Sequence, residues 1–286
     1  MGVYLEYSQS ALDDAYDQTK WAENMQQTLN GYSAQSRQCV ARLGPPVRRS
    51  YGALDAEQLD IFRTAAVNAP VHIFVHGGSW RSGAAAQYAF PAEGFVSSGV
   101  HYVALDFSSV LDVAGDLSVL VSQVRRAIAW THNNARSFGG DPEKLYITGH
   151  SSGAHLAAVA LTTDWSEWDI PGNALKGGML VSGIYDLHPV SLSSRRQFVA
   201  FDAGVNHAFS PYRHVNTLTA PVIVAWGSRE SPEFSAQSQF FARTVASAGK
   251  PVHSFLAEDH NHFEILNLLA QNGPLSRLSL DQIGRP

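Results

Sequence analysis

Cysteine is almost missing from this chain: Cys39 is the single one in 286 residues, so no internal disulfide can form, and a cytoplasmic setting is the expectation. Cys39 lies in Ser-Arg-Gln-Cys-Val-Ala-Arg with no partner base nearby and reads as a small packing residue. Charge is sparse as well, at 16% of residues with a formal net of -5. Without a long basic run there is no electrostatic footprint for nucleic acid or an anionic membrane. No apolar stretch approaches the roughly 20 residues that cross a bilayer, and the opening MGVYLEYSQSALDD is acidic and polar where a secretory signal is basic and then apolar. These shortages leave a soluble protein with a small-molecule partner as the expectation, and say nothing of its oligomeric state.

Apolar and aromatic residues, by contrast, are plentiful: 45% hydrophobic, with 6 Trp, 10 Tyr and 14 Phe. A chain of this length and composition can bury a large core, and one domain over residues 1–286 is expected. Residues 1–50 are polar and helix-compatible up to Asn30, then turn-rich to Gly44-Pro45-Pro46, and read as an N-terminal cap on a core of residues 51–286. Short β-branched and aromatic runs follow at 71–75, 101–105, 145–148, 178–181 and 222–226, with a weaker one at 252–256. Helical patterns lie between them, at 117–137 and 235–248, and from His262 to about Ala270. This alternation predicts an α/β fold whose mostly parallel central sheet carries helices on both faces. In such sheets chemistry collects at the carboxyl ends of the strands. Irregular insertions at about 162–176 and 187–219 are candidates for framing a pocket.

Directly after the run at 145–148 stands Gly149-His150-Ser151-Ser152-Gly153, followed by an alanine-rich helical stretch. A G-x-S-x-G in that setting is the pattern of a nucleophile elbow, a strained turn that only small flanking residues permit. Ser151, at its apex, is the candidate nucleophile, beside a helix N-terminus that favours developing negative charge. The run at 71–75 leads into His76-Gly77-Gly78-Ser79-Trp80. Consecutive glycines let backbone amides approach an oxyanion closely. Gly77, Gly78 and Ser79 are therefore candidate donors together with the amide of Ser152, while His76 is expected to orient the loop.

A serine hydroxyl needs a base to take its proton and an acid to hold that base. The loop after the last strand offers His260 and His262; His262 is the preferred base and the expected start of the last helix, with His260 as the alternative. A metal site built on this histidine pair is the competing reading, but no third ligand group stands out. Glu230, in Gly227-Ser228-Arg229-Glu230-Ser231-Pro232-Glu233, is the candidate acid, with Glu233 and Asp259 as competitors and Arg229 as a surface residue. Trp80, Phe107 and Tyr185 are candidate substrate-contacting aromatics, with core packing as the alternative for each.

Taken together, His76-Gly77-Gly78-Ser79-Trp80, Phe138-Gly139-Gly140-Asp141-Pro142, Gly149 to Leu156, Ser182-Gly183-Ile184-Tyr185-Asp186-Leu187, Glu230 to Phe234 and His262-Phe263 resemble the arylformamidase (kynurenine formamidase) and carboxylesterase branch of the α/β-hydrolases. The likeness runs from about Tyr51 to Leu269, and Leu5-Glu6-Tyr7 is similar to that group's start. It implies a metal-independent serine hydrolase without a cofactor, cleaving an ester or an aryl formamide-like amide through an acyl-enzyme, with the triad carried onto Ser151, Glu230 and His262. Glu230 stands where aspartate is usual and Ser152 where alanine is usual, and Asp106-Phe107-Ser108-Ser109 lacks the usual tyrosine-and-proline pattern. A carboxylesterase for aromatic or short-acyl esters is the alternative. A hydrolase-fold binding protein with no catalysis is the alternative of another class, for which a broken triad would be the mark.

Overall fold

The computed structural model describes residues 2–285, so the end positions of the expected 1–286 unit lie outside the described residues. Eight strands form one sheet: β1 (Val47–Ser50), β2 (Gln58–Phe62), β3 (Ala69–Val75), β4 (His101–Leu105), β5 (Gly140–His150), β6 (Leu175–Val181), β7 (Val222–Gly227) and β8 (Val252–Ala257), in the order β1-β2-β4-β3-β5-β6-β7-β8. From β4 to β8 every pairing is parallel, whereas β1 and β2 run antiparallel at one edge. The expected parallel runs all appear. The antiparallel strands β1 and β2 were not expected: β1 falls inside the segment read as a cap, because its Val-Arg-Arg-Ser sequence has no apolar run to betray it.

Helices α1 (Gln9–Tyr16), α2 (Met25–Leu43), α3 (Ala92–Ser97), α4 (Leu117–Asn134), α5 (Ser152–Leu161), α6 (Leu187–Leu192), α7 (Ala203–Ala208), α8 (Pro232–Ser247) and α9 (Pro274–Ile283) complete the chain. Because side chains alternate along a strand, Val71, Ile73 and Val75 of β3 join the core beneath α1, α4, α5 and α8, while Phe74 joins the core beneath α2, α3 and α9. The sheet is thus covered on both faces.

Three expectations are corrected here. The stretch after Asn30 is not turn-rich, since α2 runs on to Leu43 before Gly44 (φ 86°) ends it. Tyr32, Ser36 and Cys39 fall at helical spacing on its buried face, and that packing outweighs the weak propensity of Gly31. The segment after His262 is a 3₁₀ stretch, Glu264–Leu269, and the last helix is α9, begun by Pro274 and closed by Gly284 (φ 75°). Of the two insertions, 187–219 borders the main cavity and 162–176 does not.

Strand order reverses around β3, whose neighbours are β4 on one side and β5 on the other. Such a switch point opens a crevice at the strand ends. Val75 of β3 pairs with Gly149 of β5, which sets the loop beginning at His76 beside Ser151.

Candidate active site

Ser151 sits between β5 and α5 with φ 57° and ψ -123°, a conformation that costs a non-glycine residue about 1–3 kcal/mol. The surrounding packing holds it there. The Ser151 amide donates to Val181 O (2.9 Å) and its carbonyl accepts from the His155 amide (3.1 Å). On either side the backbones touch: a β-carbon on Gly149 would lie 2.2 Å from Gly153 O, and one on Gly153 would lie 2.1 Å from Val75 O. Only glycine at both positions lets α5 approach β3 and β5 so closely.

His262 Nε2 lies 2.8 Å from Ser151 Oγ, and His262 Nδ1 lies 3.2 Å from Glu230 Oε2. The other carboxylate oxygen of Glu230 accepts from Ser182 Oγ (2.5 Å) and from the Gly227 amide (2.6 Å). All three side chains are buried. With both oxygens occupied, the carboxylate is fixed in the orientation that meets Nδ1 and leaves Nε2 facing the serine. The parallel register makes this possible, because β5, β6, β7 and β8 stand side by side and their outgoing loops supply Ser151, Ser182, Glu230 and His262 in turn.

The competitors are engaged elsewhere. Glu233 accepts from Tyr16 Oη (3.0 Å) in the first turn of α8, and Asp259 forms an exposed ion pair with Arg229 (2.8 Å). His260 Nδ1 lies 2.6 Å from Glu258 O, so its ring is tied to its own loop rather than to a site shared with His262.

In the loop after β3, Gly78 (φ 119°), Ser79 (φ 55°) and Trp80 (φ 61°) adopt consecutive left-handed conformations. Gly78 and Ser79 line the same cavity as Ser151, and Gly77 packs against it, since a β-carbon there would lie 3.0 Å from Ser151 Cβ. Among the described residues the amides of Gly77, Gly78, Ser79 and Ser152 donate to no protein acceptor. Ser152 has a task of its own: its Oγ accepts from the Trp80 amide (3.1 Å) and ties the glycine loop to the elbow. His76, as expected, is a loop residue, buried between the rings of Tyr88 and Phe107, its centroid 4.3 Å from that of Phe107.

A cavity of about 540 Å³ opens over Ser151 and His262. The three aromatics expected to contact substrate are not in its wall. Trp80 is buried, its Nε1–H donating to His155 Nδ1 (3.3 Å). Phe107 stacks on His76, and Tyr185 is buried against Phe241 with centroids 4.2 Å apart. The aromatic wall instead comes from Tyr16, Tyr32, Tyr88, Phe198 and Phe263. Most of these lie in the N-terminal segment and the 187–219 insertion, distant in sequence from every motif.

Sequence reasoning also passed over His150. Its Nε2–H donates to the His262 carbonyl (2.8 Å), which pins the loop that presents the base. Burial, and then the nearby His262, lowers its pKa to about 3, so it stays a neutral hydrogen-bonding group. The signal was at hand in the second position of the elbow pentapeptide.

The BD-FAE family model matches residues 59–176. The kynurenine formamidase of Danio rerio is 33% identical over 243 residues, which cover 82% of this chain and 80% of the relative. The chain belongs to the kynurenine formamidase family of α/β-hydrolases. Esterase LipQ of Mycobacterium tuberculosis is 30% identical over 230 residues, covering 72% of the hydrolase and 54% of LipQ. The crystal structure of a candidate thioesterase from Silicibacter sp. superposes with a TM-score of 0.81 at 24% identity, covering 94% of the hydrolase and 98% of that chain, a likeness of fold. The hydrolase is an enzyme, a serine hydrolase acting on ester or amide bonds of small molecules. Among its described residues no helix is long and apolar enough to cross a membrane, and no three His, Cys, Asp or Glu side chains converge on a common point.

Proposed function

We propose that the hydrolase cleaves an aryl formamide-like amide through an acyl-enzyme formed on Ser151. The observation that carries this reading is the continuous relay from Glu230 through His262 to Ser151, opening on a partly aromatic cavity. His262 takes the serine proton as Oγ attacks the carbonyl, and the imidazolium so formed is stabilised by Glu230. The amides of Gly77, Gly78, Ser79 and Ser152, free of protein acceptors, are the donors for the oxyanion, with Gly77 also giving the loop its close approach. His262 then protonates the leaving amine or alcohol and activates the water that releases the acid. The whole chain acts as one catalytic unit, with the segment before β1 contributing the cap, and its single cysteine suits a cytoplasmic setting.

A cavity of about 540 Å³ with aromatic walls suits a flat substrate of drug-like size. Kinship with a named kynurenine formamidase favours the formamide, and kinship with LipQ favours the carboxylesterase alternative. Parallel turnover of N-formylkynurenine and 4-nitrophenyl acetate separates the two. The formamidase reading expects the higher kcat/KM on N-formylkynurenine; negligible hydrolysis of that substrate alongside brisk hydrolysis of the ester would leave the carboxylesterase.

A further inference from the structure

Arg195 lies in a 3₁₀ turn (Ser194–Gln197) after α6, in the wall of the Ser151 cavity, and is 5% exposed. Its Nε and Nη2 both donate to a single acceptor, the Tyr16 carbonyl (3.3 and 2.9 Å), and Nη1 has no hydrogen-bond partner. The guanidinium is flanked by the rings of Trp80 and Phe234, 5.4 and 5.8 Å from their centroids. Among the described residues no carboxylate pairs with it. Burial lowers its pKa to about 10, which still leaves it charged at neutral pH.

A buried cation without a paired carboxylate is costly, and ring faces compensate only part of that cost. The rest of the cavity wall leaves that charge in place. Arg81 lines it too, its guanidinium 4.2 Å from the Phe198 centroid, and its charge opposes that of Arg195. Among the described residues Asp17 is the one carboxylate in the wall; it accepts from the amide and hydroxyl of Thr19 (3.1 and 2.6 Å), and its charge offsets only one of the two guanidinium charges. The cavity above the serine is therefore cationic, with one guanidinium donor unused.

We propose that Arg195, assisted by Arg81, is a carboxylate subsite, and that the preferred substrates are esters or amides carrying a carboxylate remote from the scissile bond. A carboxylate is planar and matches the guanidinium fork. The inference rests on the hydrolase reading of the site, because it assigns specificity to a cavity whose chemistry is that of Ser151.

Two matched ester pairs test it with the full chain: 4-nitrophenyl butyrate against mono(4-nitrophenyl) glutarate, and phenyl acetate against 3-carboxyphenyl acetate. In at least one pair Arg195→Met is expected to lower the anionic-to-neutral ratio of kcat/KM tenfold or more, chiefly through KM, and Arg195→Lys to lower it less. A ratio that stays within threefold in both pairs would mean that Arg195 only anchors Tyr16, and the inference would be overturned. The unmodified protein gives a second reading that does not depend on how the variants fold. Benzoate is expected to compete with 4-nitrophenyl butyrate at least tenfold more tightly than benzamide, and equal inhibition contradicts the subsite. Hydrolysis in both pairs that is indifferent to Ser151→Ala would overturn the hydrolase reading, and the inference with it.

Discussion

At the scale of single residues, the catalytic relay depends on which carboxylate orients His262. Glu230 uses one oxygen for His262 and the other for Ser182 and Gly227, whereas Glu233 serves Tyr16 and Asp259 serves Arg229. Removing the group that fixes the imidazole tautomer in a serine triad costs roughly 10⁴-fold in kcat. Glu230→Ala is accordingly expected to lose about 10³ to 10⁴-fold in kcat, and Asp259→Ala less than about twofold. Glu233→Ala should act mainly on stability, through the buried Tyr16 contact. Steady-state kinetics of the three variants on one ester checks this order, and a larger loss for Asp259→Ala would move the acid. Ser151, Glu230 and His262 were legible in the sequence because each stands in the loop that leaves the carboxyl end of a strand and carries a side chain suited to one task. Arg195, Tyr16 and Phe198 were not, since their place in the cavity wall depends on how the chain folds back over the sheet. Trp80, Phe107 and Tyr185 were misread for a related reason: adjacency to a motif says where the backbone goes, while the side chain was free to turn into the core.

Among the elements, the decisive contact is that of α5 against β3 and β5. Every residue of α5 is buried, and its approach is set at Gly153, where a β-carbon would meet the carbonyls of Val75 and His76 at 2.1 and 2.4 Å. These are backbone atoms and cannot swing aside. Gly153→Ala should therefore destabilise by about 1–3 kcal/mol, the usual cost of overpacking, and should displace the elbow, so that kcat falls along with Tm. Thermal unfolding and kinetics on the same preparation test this, and a variant with unchanged Tm and kcat would contradict the packing argument. The central strands announced themselves as apolar runs because parallel strands are buried on both faces. The antiparallel pair did not: β1 pairs Arg48 with Asp60 and Arg49 with Leu59, and such half-exposed pairs leave no continuous pattern. The start of α9 carried a signal in Pro274, but the apolar Glu264–Leu269 stretch before it resembled a helix more strongly and proved to be a 3₁₀ turn.

On the scale of the whole molecule, the fold stores several neutral histidines away from water. Burial lowers the pKa of His72 and His150 to about 3 and that of His155 to about 4, and it lowers that of His76 as well. In the unfolded chain these groups titrate near 6.5. Between those values the unfolded state binds more protons, so stability rises with pH there. The stabilisation is fully present above about pH 6.5 and is lost as pH falls toward 3 to 4. For His72, His150 and His155 the loss between pH 7.5 and pH 5 amounts to about 2 kcal/mol each. Glu233, whose carboxyl burial raises, acts in the opposite sense as the solution becomes acid. Urea unfolding at the two pH values should show a net fall of several kcal/mol, and equal stabilities would contradict the neutral buried histidines.

The N-terminal segment also borders the cavity: Tyr16 to Thr19, Met25, Leu29 and Tyr32 form part of the wall that Ser151 and His262 share. Everything assembled there converges on one oxygen atom, Ser151 Oγ. The most direct test is to treat the wild type and Ser151→Ala with a fluorophosphonate, map the adduct by peptide mass spectrometry, and assay both proteins on N-formylkynurenine and 4-nitrophenyl acetate. The account predicts one adduct, on Ser151, in the wild type and none in the variant, with turnover of every hydrolysed substrate falling at least roughly 10³-fold in a variant that remains folded. Labelling at another residue, or a folded Ser151→Ala protein that keeps wild-type turnover, would contradict it.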